Sequence, residues 1–395
     1  MRAGTGLPVY RPGMRTTTPP TSFAAAAGDP AAPARAAVRI RADETAVLIG
    51  RFAPFNRRHE EGLRAVLSNW RQVVVVITSA FQPPSPKNPF SWQQRAEMIR
   101  LCLNDDETAR VKFVPVRDHH RDDRWADEVA RGAYEQVPAA NHRQFTVVDP
   151  EFNDPGDYAF DYPRVLPRWG YHSLPVAKRP DATPDSGTIR SVLLSVESEA
   201  RAAALAFLKD AVPVAVRQYL SAWWESPVRE RLANETEWIR QYRKRWPAEQ
   251  AMTVDAVVIC SRHVLLIERG EGAGAGLFAV PGGFLEKDER FYQGAKRELR
   301  EETGLGYIGD GLDVAFIRAA VFDRPDRSMR ARIVTVAHLF DLKSTPLPDV
   351  QGRDDARRAL WIPVANLLDM EERFFEDHFQ ILDHFLDLTL PSRPA

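Results

Sequence analysis

The 395 residues carry 53 Lys and Arg against 54 Asp and Glu, a formal net charge of −1, with 44% hydrophobic and 27% charged residues. That profile is globular and soluble; it excludes a fibrous or wholly disordered chain and offers no whole-chain attraction to nucleic acid or an anionic membrane. At roughly 150 residues per domain the length predicts two or three domains. The two cysteines, Cys102 and Cys260, lie far apart in apolar segments and read as free buried thiols of a reducing, cytoplasmic compartment. The longest apolar run, residues 73–77, falls far short of the roughly 20 residues that span a bilayer.

Residues 1–43 are rich in Ala, Pro, Thr and Arg without a lasting period, so they cannot offset ordering entropy and are expected to be a disordered tail. From Thr45 the pattern becomes strand, helix, strand. Residues 46–50 are a short apolar run ending in Gly50, residues 57–69 are helical, and Val73-Val74-Val75-Val76-Ile77 is apolar on both faces, as a central parallel strand requires. A helix over 91–103, a strand over 111–116, a helix over 123–134 and a strand over 145–148 continue the alternation. Such repetition predicts an α/β, doubly wound, Rossmann-like sheet, whose ligand crevice lies beyond the carboxyl ends of its strands near Gly50, Thr78 and Asp118. His119 and His120, beside Asp118, Asp122 and Asp123, read as a polar loop rather than a metal site. Residues 190–233 are helix-compatible, interrupted at Pro213 and Pro227, and residues 235–250 read as a linker. From Val254 a second α/β unit begins, with apolar strands, a Gly-rich loop and one strongly charged helix.

That charged helix is the most informative segment. Gly283, Glu289, Arg297-Glu298-Leu299-Arg300-Glu301-Glu302-Thr303-Gly304 place three carboxylates at i, i+3 and i+4, on one helix face. Like charges so close destabilise a bare helix, and a divalent cation with a taste for hard oxygen ligands, Mg²⁺ or Mn²⁺, would neutralise them. The pattern resembles the Nudix box at every defining position. The resemblance implies a sandwich-like α/β fold and metal-dependent attack of water on a nucleoside diphosphate derivative, with Glu298, Glu301 and Glu302 as catalytic metal ligands and Gly283 beside the metal. Arg297 and Glu289 would be a structural ion pair, and Gly283 and Gly304 would allow the tight loops flanking the helix. Arg327, Arg330 and Arg332 lie just beyond, where Arg suits bidentate phosphate recognition. With Trp361-Ile362-Pro363 and the segment around His378, they resemble the ADP-ribose pyrophosphatase branch, which cleaves ADP-ribose to AMP and ribose 5-phosphate. An ADP-ribose-binding sensor is the alternative. The intact box, and an end at Ala395 soon after the His378 helix, lead us to expect a hydrolase.

A second resemblance lies upstream. Gly50-Arg51-Phe52-Ala53-Pro54-Phe55-Asn56-Arg57-Arg58-His59 is similar to the entrance motif of the nicotinamide mononucleotide (NMN) adenylyltransferases, where two histidines at a helix N-terminus hold ATP phosphates. Here His59 is kept as the catalytic candidate, while Asn56 stands for the first histidine and Arg58 for the glycine. Asn88-Pro89-Phe90-Ser91-Trp92-Gln93-Gln94-Arg95, Trp125 as a ring-stacking candidate, and Ser186-Gly187-Thr188-Ile189-Arg190 resemble further family segments. The resemblance implies that Gly50, Arg51, Phe52, Asn56, Arg95, Trp125 and Arg190 bind substrate. The stretch Asp149-Pro150-Glu151-Phe152-Asn153-Asp154 departs from the family, with acids where a basic residue is expected, and leaves open either an active enzyme or a pseudoenzyme.

The expectation is therefore a bifunctional NAD-metabolism protein: a tail (1–43), an adenylyltransferase-like domain (44–234), a linker (235–250) and a Nudix domain (251–395). Its ligands would be ADP-ribose, NMN, ATP and Mg²⁺ or Mn²⁺, without nucleic acid or membrane, and it is compatible with a homo-oligomer.

Overall fold

Five parallel strands build the first sheet of the computed structural model: β1 (Arg41–Gly50), β2 (Trp70–Ile77), β3 (Val111–Pro115), β4 (Phe145–Asp149) and β5 (Gly170–Ser173), in the order β3-β2-β1-β4-β5. The described residues are 41–137, 144–150, 161–174, 184–195, 200–247, 250–305, 310–343 and 346–389. The expected tail up to residue 40, and residues 151–154 of the altered segment, lie outside them. The helices are α1 (Arg57–Asn69), α2 (Trp92–Arg100), α3 (Asp105–Arg110), α4 (Asp122–Gln136), α5 (Tyr162–Val165), α6 (Ser186–Leu193), α7 (Ala200–Ala211), α8 (Val214–Trp223) and α9 (Pro227–Arg245).

The run 73–77 in β2 shows why this sheet is central. Val73, Val75 and Ile77 enter one hydrophobic cluster, while Val74 and Val76 enter the other, so alternate side chains feed cores on opposite faces. Strand order reverses at β1, which pairs with β2 on one side and β4 on the other. A reversal of this kind opens a crevice beyond the strand ends, here beyond Gly50.

The second sheet is mixed: β6 (Gln250–Cys260), β7 (His263–Arg269), β8 (Phe278–Ala279), β9 (Gly282–Phe284), β10 (Phe316–Phe322), β11 (Arg332–Asp341) and β12 (Ala356–Pro363). Its order is β10-β11-β6-β7-β12, with β8 on β7 and β9 on β6. Helix α10 (Phe291–Thr303) packs Leu299 with Ala256, Val258 and Phe340 on one face, alongside the short α11 (Asp310–Ala315). Helix α12 (His378–Leu386) packs Phe379, Ile381 and Leu382 with Val257 and Leu266 on the other. Helices thus cover both faces. Among the described residues no helix is long and apolar enough to cross a membrane.

The stretch read as a linker differs. Residues 227–245 are one helix of 19 residues, because Pro227 stands at the first helical position, where its missing N–H is no loss, and Ser226 caps it. Leu232 of α9 is buried in the core of the first domain, and Ile239 packs with Ala273 and Phe375 of the second. The helix is a strut shared by both.

Candidate functional sites

Helix α10 presents its carboxylates as the sequence spacing requires. Gly304 closes it with φ 61°, the left-handed conformation that glycine tolerates. Arg297 is the hub: Nε donates to Glu289 Oε1 (2.9 Å), Nη2 donates to Glu289 Oε2 (3.0 Å) and to the carbonyl of Phe284 (3.0 Å). This two-point pair ties the loop before the helix to its middle. Nη1 of the same guanidinium donates to Glu298 Oε1 (2.7 Å) and Glu301 Oε2 (2.9 Å). Glu302 turns inward, with Oε2 accepting from the backbone N–H of Gly282 (2.8 Å).

The energetics of the three carboxylates differ. Burial is the main cause that raises the Glu298 carboxyl above its ordinary range, outweighing the opposing Arg297 contacts. Glu302 is raised well above its ordinary value, again chiefly by burial, with the charges of Asp355 and Glu298 adding to it. Glu301 is more open, its side chain 41% exposed. A methyl group on Gly283 would stand 2.5 Å from Glu298 Oε1, so only glycine leaves room for that carboxylate against β9. Among the described residues no three His, Cys, Asp or Glu side chains are grouped so as to hold a metal ion. Arg297 draws Glu298 and Glu301 to itself instead, so the gathered cation ligands expected from the spacing are not formed here. The donor set nevertheless fits a hard divalent cation: buried carboxyls under mutual repulsion beside a glycine cradle.

Two further carboxyls belong to this neighbourhood. Asp355 hydrogen bonds Glu302, its loop being anchored where Arg353 N–H donates to the Glu302 carbonyl (3.0 Å). Asp255, opposite Gly282 in the β6–β9 pairing, is pushed up to about 6 by burial. Each reaches the site through a strand pairing or a loop anchor.

The three arginines beyond the helix are committed elsewhere. Arg327 makes a two-point pair with Asp377 (2.9 and 2.7 Å), Arg330 pairs with Glu376 (3.2 Å) and lies over the Phe375 ring, and Arg332 donates to the carbonyl of Asp323. Arg327 and Arg330 brace the β10–β11 loop against the segment before α12, and Arg332 ties the two ends of that loop together.

In the first domain the motif residues do converge on the crevice. Asn56 caps α1, its Oδ1 accepting from His59 N–H (3.0 Å) while its Nδ2 donates to Ser186 Oγ (3.1 Å), which joins the entrance motif to the start of α6. The Nδ1 atom of His59 accepts from the Asn56 backbone N–H (3.2 Å), and its ring packs edge-on to Phe52 and stacks on Phe55. Burial, with Arg58 and Arg190 nearby, takes the imidazole down to about 3, so it is neutral and its other nitrogen carries the proton. Arg190 donates to the carbonyl of Ala53 (2.7 Å).

Two expected ligand contacts are corrected by packing. Arg95 is 0% exposed and donates to the carbonyls of Arg51, Thr78 and Ser79, so it pins the crevice loops together from beneath. Trp125 is 8% exposed and sits in the core between α4 and the sheet, where the inward face of an amphipathic helix must go.

The comparisons bear on both halves. Residues 249–385 match the NUDIX domain family. The second unit is a Nudix domain. It is similar to an ADP-ribose pyrophosphatase of Methanocaldococcus jannaschii, 29% identical over 136 residues, 34% of this chain and 73% of that protein. The first unit is similar to a nicotinamide/nicotinic acid mononucleotide adenylyltransferase of Acinetobacter baylyi, 29% identical over 123 residues, 31% of this chain. The chain spans 62% of that relative's length. The whole architecture matches a crystal structure of a bifunctional NMN adenylyltransferase/ADP ribose pyrophosphatase from Francisella tularensis, complexed with AMP and a Mn ion. The two are 29% identical with a TM-score of 0.75, covering 87% of this chain and 98% of that one.

The Nudix domain meets the first domain along a charged seam. Arg117 bridges Glu128 (2.9 Å) of α4 and Glu371 (2.7 Å) of the Nudix domain. His119 hydrogen bonds Glu128 and lies 3.5 Å from Asp383 of α12, while Arg124 reaches Asp383 and Asp387. The expected polar loop is therefore a buried seam. His120 likewise packs on Phe322 and His384 of the Nudix domain.

Proposed function

We propose that the Nudix domain hydrolyses ADP-ribose, or a closely related nucleoside diphosphate derivative, to AMP and a sugar phosphate with Mg²⁺ or Mn²⁺. The observation that carries this reading is the pair of buried, raised carboxyls, Glu298 and Glu302, on a helix fixed by the Arg297–Glu289 pair. Glu298, Glu301 and Glu302 would hold the cation, which when bound polarises the diphosphate and lowers the pKa of water. Arg297 keeps the loop–helix unit in place, and the Gly282 N–H orients Glu302. The resemblance to the Methanocaldococcus and Francisella proteins supports ADP-ribose as the substrate. ADP-ribose hydrolysis by the full chain, assayed with and without a chelator, tests it: no turnover of any nucleoside diphosphate derivative, with ADP-ribose still bound, points to a sensor.

For the first domain we propose NMN adenylyltransferase chemistry, ATP and NMN giving NAD and diphosphate, with the α1 N-terminus, His59 and Arg190 around the phosphates. A second reading, a domain that keeps the fold but has lost turnover, is favoured by one observation. Asn56 is fully buried and spends its side chain on His59 and Ser186, so it has replaced a phosphate-facing histidine by a cap. NAD formation from NMN, ATP and Mg²⁺ by the full chain decides between them. None at high enzyme concentration selects the second.

A further inference from the structure

Between β10 and β11 the Nudix domain extends a loop to the crevice of the first domain, and its tip is Asp326. The Asp326 Oδ2 atom is 3.3 Å from Arg51 Nη2 and 2.8 Å from Lys87 Nζ, and the Asp326 carbonyl accepts from the same ammonium at 2.6 Å. Arg51 follows Gly50 at the strand-order reversal, the place where an open α/β sheet binds its ligand. Lys87 precedes Asn88, whose side chain donates to the Ser79 carbonyl beside the end of β2 (3.0 Å). From the same Nudix loop Arg324 approaches Asp118, 3.8 Å away, and Asp118 also accepts from Ser79 and Gln82.

We propose that the Asp326 carboxylate of the Nudix loop, with Arg324 beside it, occupies the phosphate position of the crevice at Arg51 and Lys87, and that a nucleotide phosphate entering the first domain displaces it. Only the identity of the ligand rests on the nucleotide-handling reading of the crevice.

The charge count supports an exchange. Arg51, Lys87 and Arg324 face Asp326 and Asp118, with Arg95 also close to Arg51 and Asp118, so removing the Asp326 carboxylate leaves an excess of positive charge that suits a phosphate. The Lys87 ammonium is lowered mainly by burial, and the Asp326 carboxyl is held well below its ordinary range despite its own burial by Lys87, Arg324 and Arg51. A part-buried cation of this kind is favoured by an anion beside it, and in the free protein Asp326 supplies it. A phosphate arriving beside an unmoved Asp326 would meet like charge at short range, so the two are mutually exclusive occupants. Because the occupant comes from the Nudix domain, ligation in the first domain must turn the Asp326 side chain, or the loop that carries it, away from Arg51 and Lys87.

Calorimetric titration of inorganic pyrophosphate into the full chain, without divalent metal, tests the site in the wild type, Asp326→Asn and Asp326→Asn/Lys87→Met. Asn keeps the size of the side chain and leaves the Lys87 contact to the backbone carbonyl. Affinity is expected to rise by about tenfold or more in Asp326→Asn, as relief of like-charge repulsion requires, and to fall back in the double variant. Equal affinity in wild type and Asp326→Asn, no measurable binding in either, or a gain that survives Lys87→Met overturns the proposal. NAD formation is read separately. Its absence with the gain intact sinks the adenylyltransferase reading alone, whereas NAD without the gain sinks the anion site alone.

Discussion

Glu302 is held in a state that water would not choose. Its carboxyl is raised chiefly by burial, with the charges of Asp355 and Glu298 adding to it. A carboxyl whose folded pKa lies above its unfolded value favours the fold at low pH, and that contribution is lost as pH rises from the unfolded value near 4.3 through the folded one. Gln imitates the protonated form: it can still accept from Gly282 and donate to Asp355. Metal-free Glu302→Gln should therefore melt on the order of 2–4 °C above the wild type at pH 8, with the gap closing toward pH 4. ADP-ribose hydrolysis by the same variant should fall at least about a hundredfold, as loss of a charge-stabilising group in an active site does. Thermal melts and steady-state rates on one preparation check both. A variant that melts below the wild type at pH 8 would contradict the raised carboxyl, whatever its activity.

The loop–helix–loop of α10 depends on a close approach that one methyl group would spoil. In Gly283→Ala the new Cβ would sit 2.5 Å from Glu298 Oε1 and 2.6 Å from its Cδ, so the carboxylate must swing away. The clash falls on the far end of a flexible side chain, so stability should change little, while hydrolysis falls as the carboxylate is displaced, with far less loss in ADP-ribose binding. Comparing denaturant midpoints with kcat and Kd for ADP-ribose tests it. This element was legible in the sequence because its chemistry and its local geometry share one spacing: the carboxylates at i, i+3 and i+4, the glycines and Arg297 all act within 25 residues or so. The strands and helices of the first domain were legible for a similar reason, as periodic apolar runs. Their edges were less so. β1 starts at Arg41 rather than near Ala46, because pairing with β2 extends it, and Pro227 begins a helix instead of breaking one. Trp125 and Arg95 show a similar limit: a motif gives order along the chain, but burial decides whether a side chain faces a ligand or a core.

The seam between the domains was invisible in the sequence, since its partners lie some 250 residues apart and each looked like an ordinary surface charge. His119 shows what assembly adds. Packed between Glu128 and Asp383, with Arg117 and Arg124 on those carboxylates and Thr389 on Asp383, its imidazole is pushed up to about 9 against the lowering effect of burial. A histidine whose folded pKa exceeds its unfolded value of about 6.5 contributes stability fully below pH 6.5. That contribution fades as pH rises and is gone above about 9. Glu371, pushed up to about 8 by burial, changes stability with the same sign, so the wild-type profile alone does not isolate His119. His119→Gln removes the titrating ring and leaves Glu371 and the arginines in place. The wild type should exceed this variant by on the order of 2–3 kcal/mol at pH 6, equivalent to several degrees in melting temperature, and the difference should shrink to near zero by pH 9.5. Melts at pH 6, 7.5 and 9.5 at fixed ionic strength give the profile. A difference that stays flat across that range would show a histidine that is neutral throughout, and the domains would then be joined at this point by packing and the arginine bridges alone.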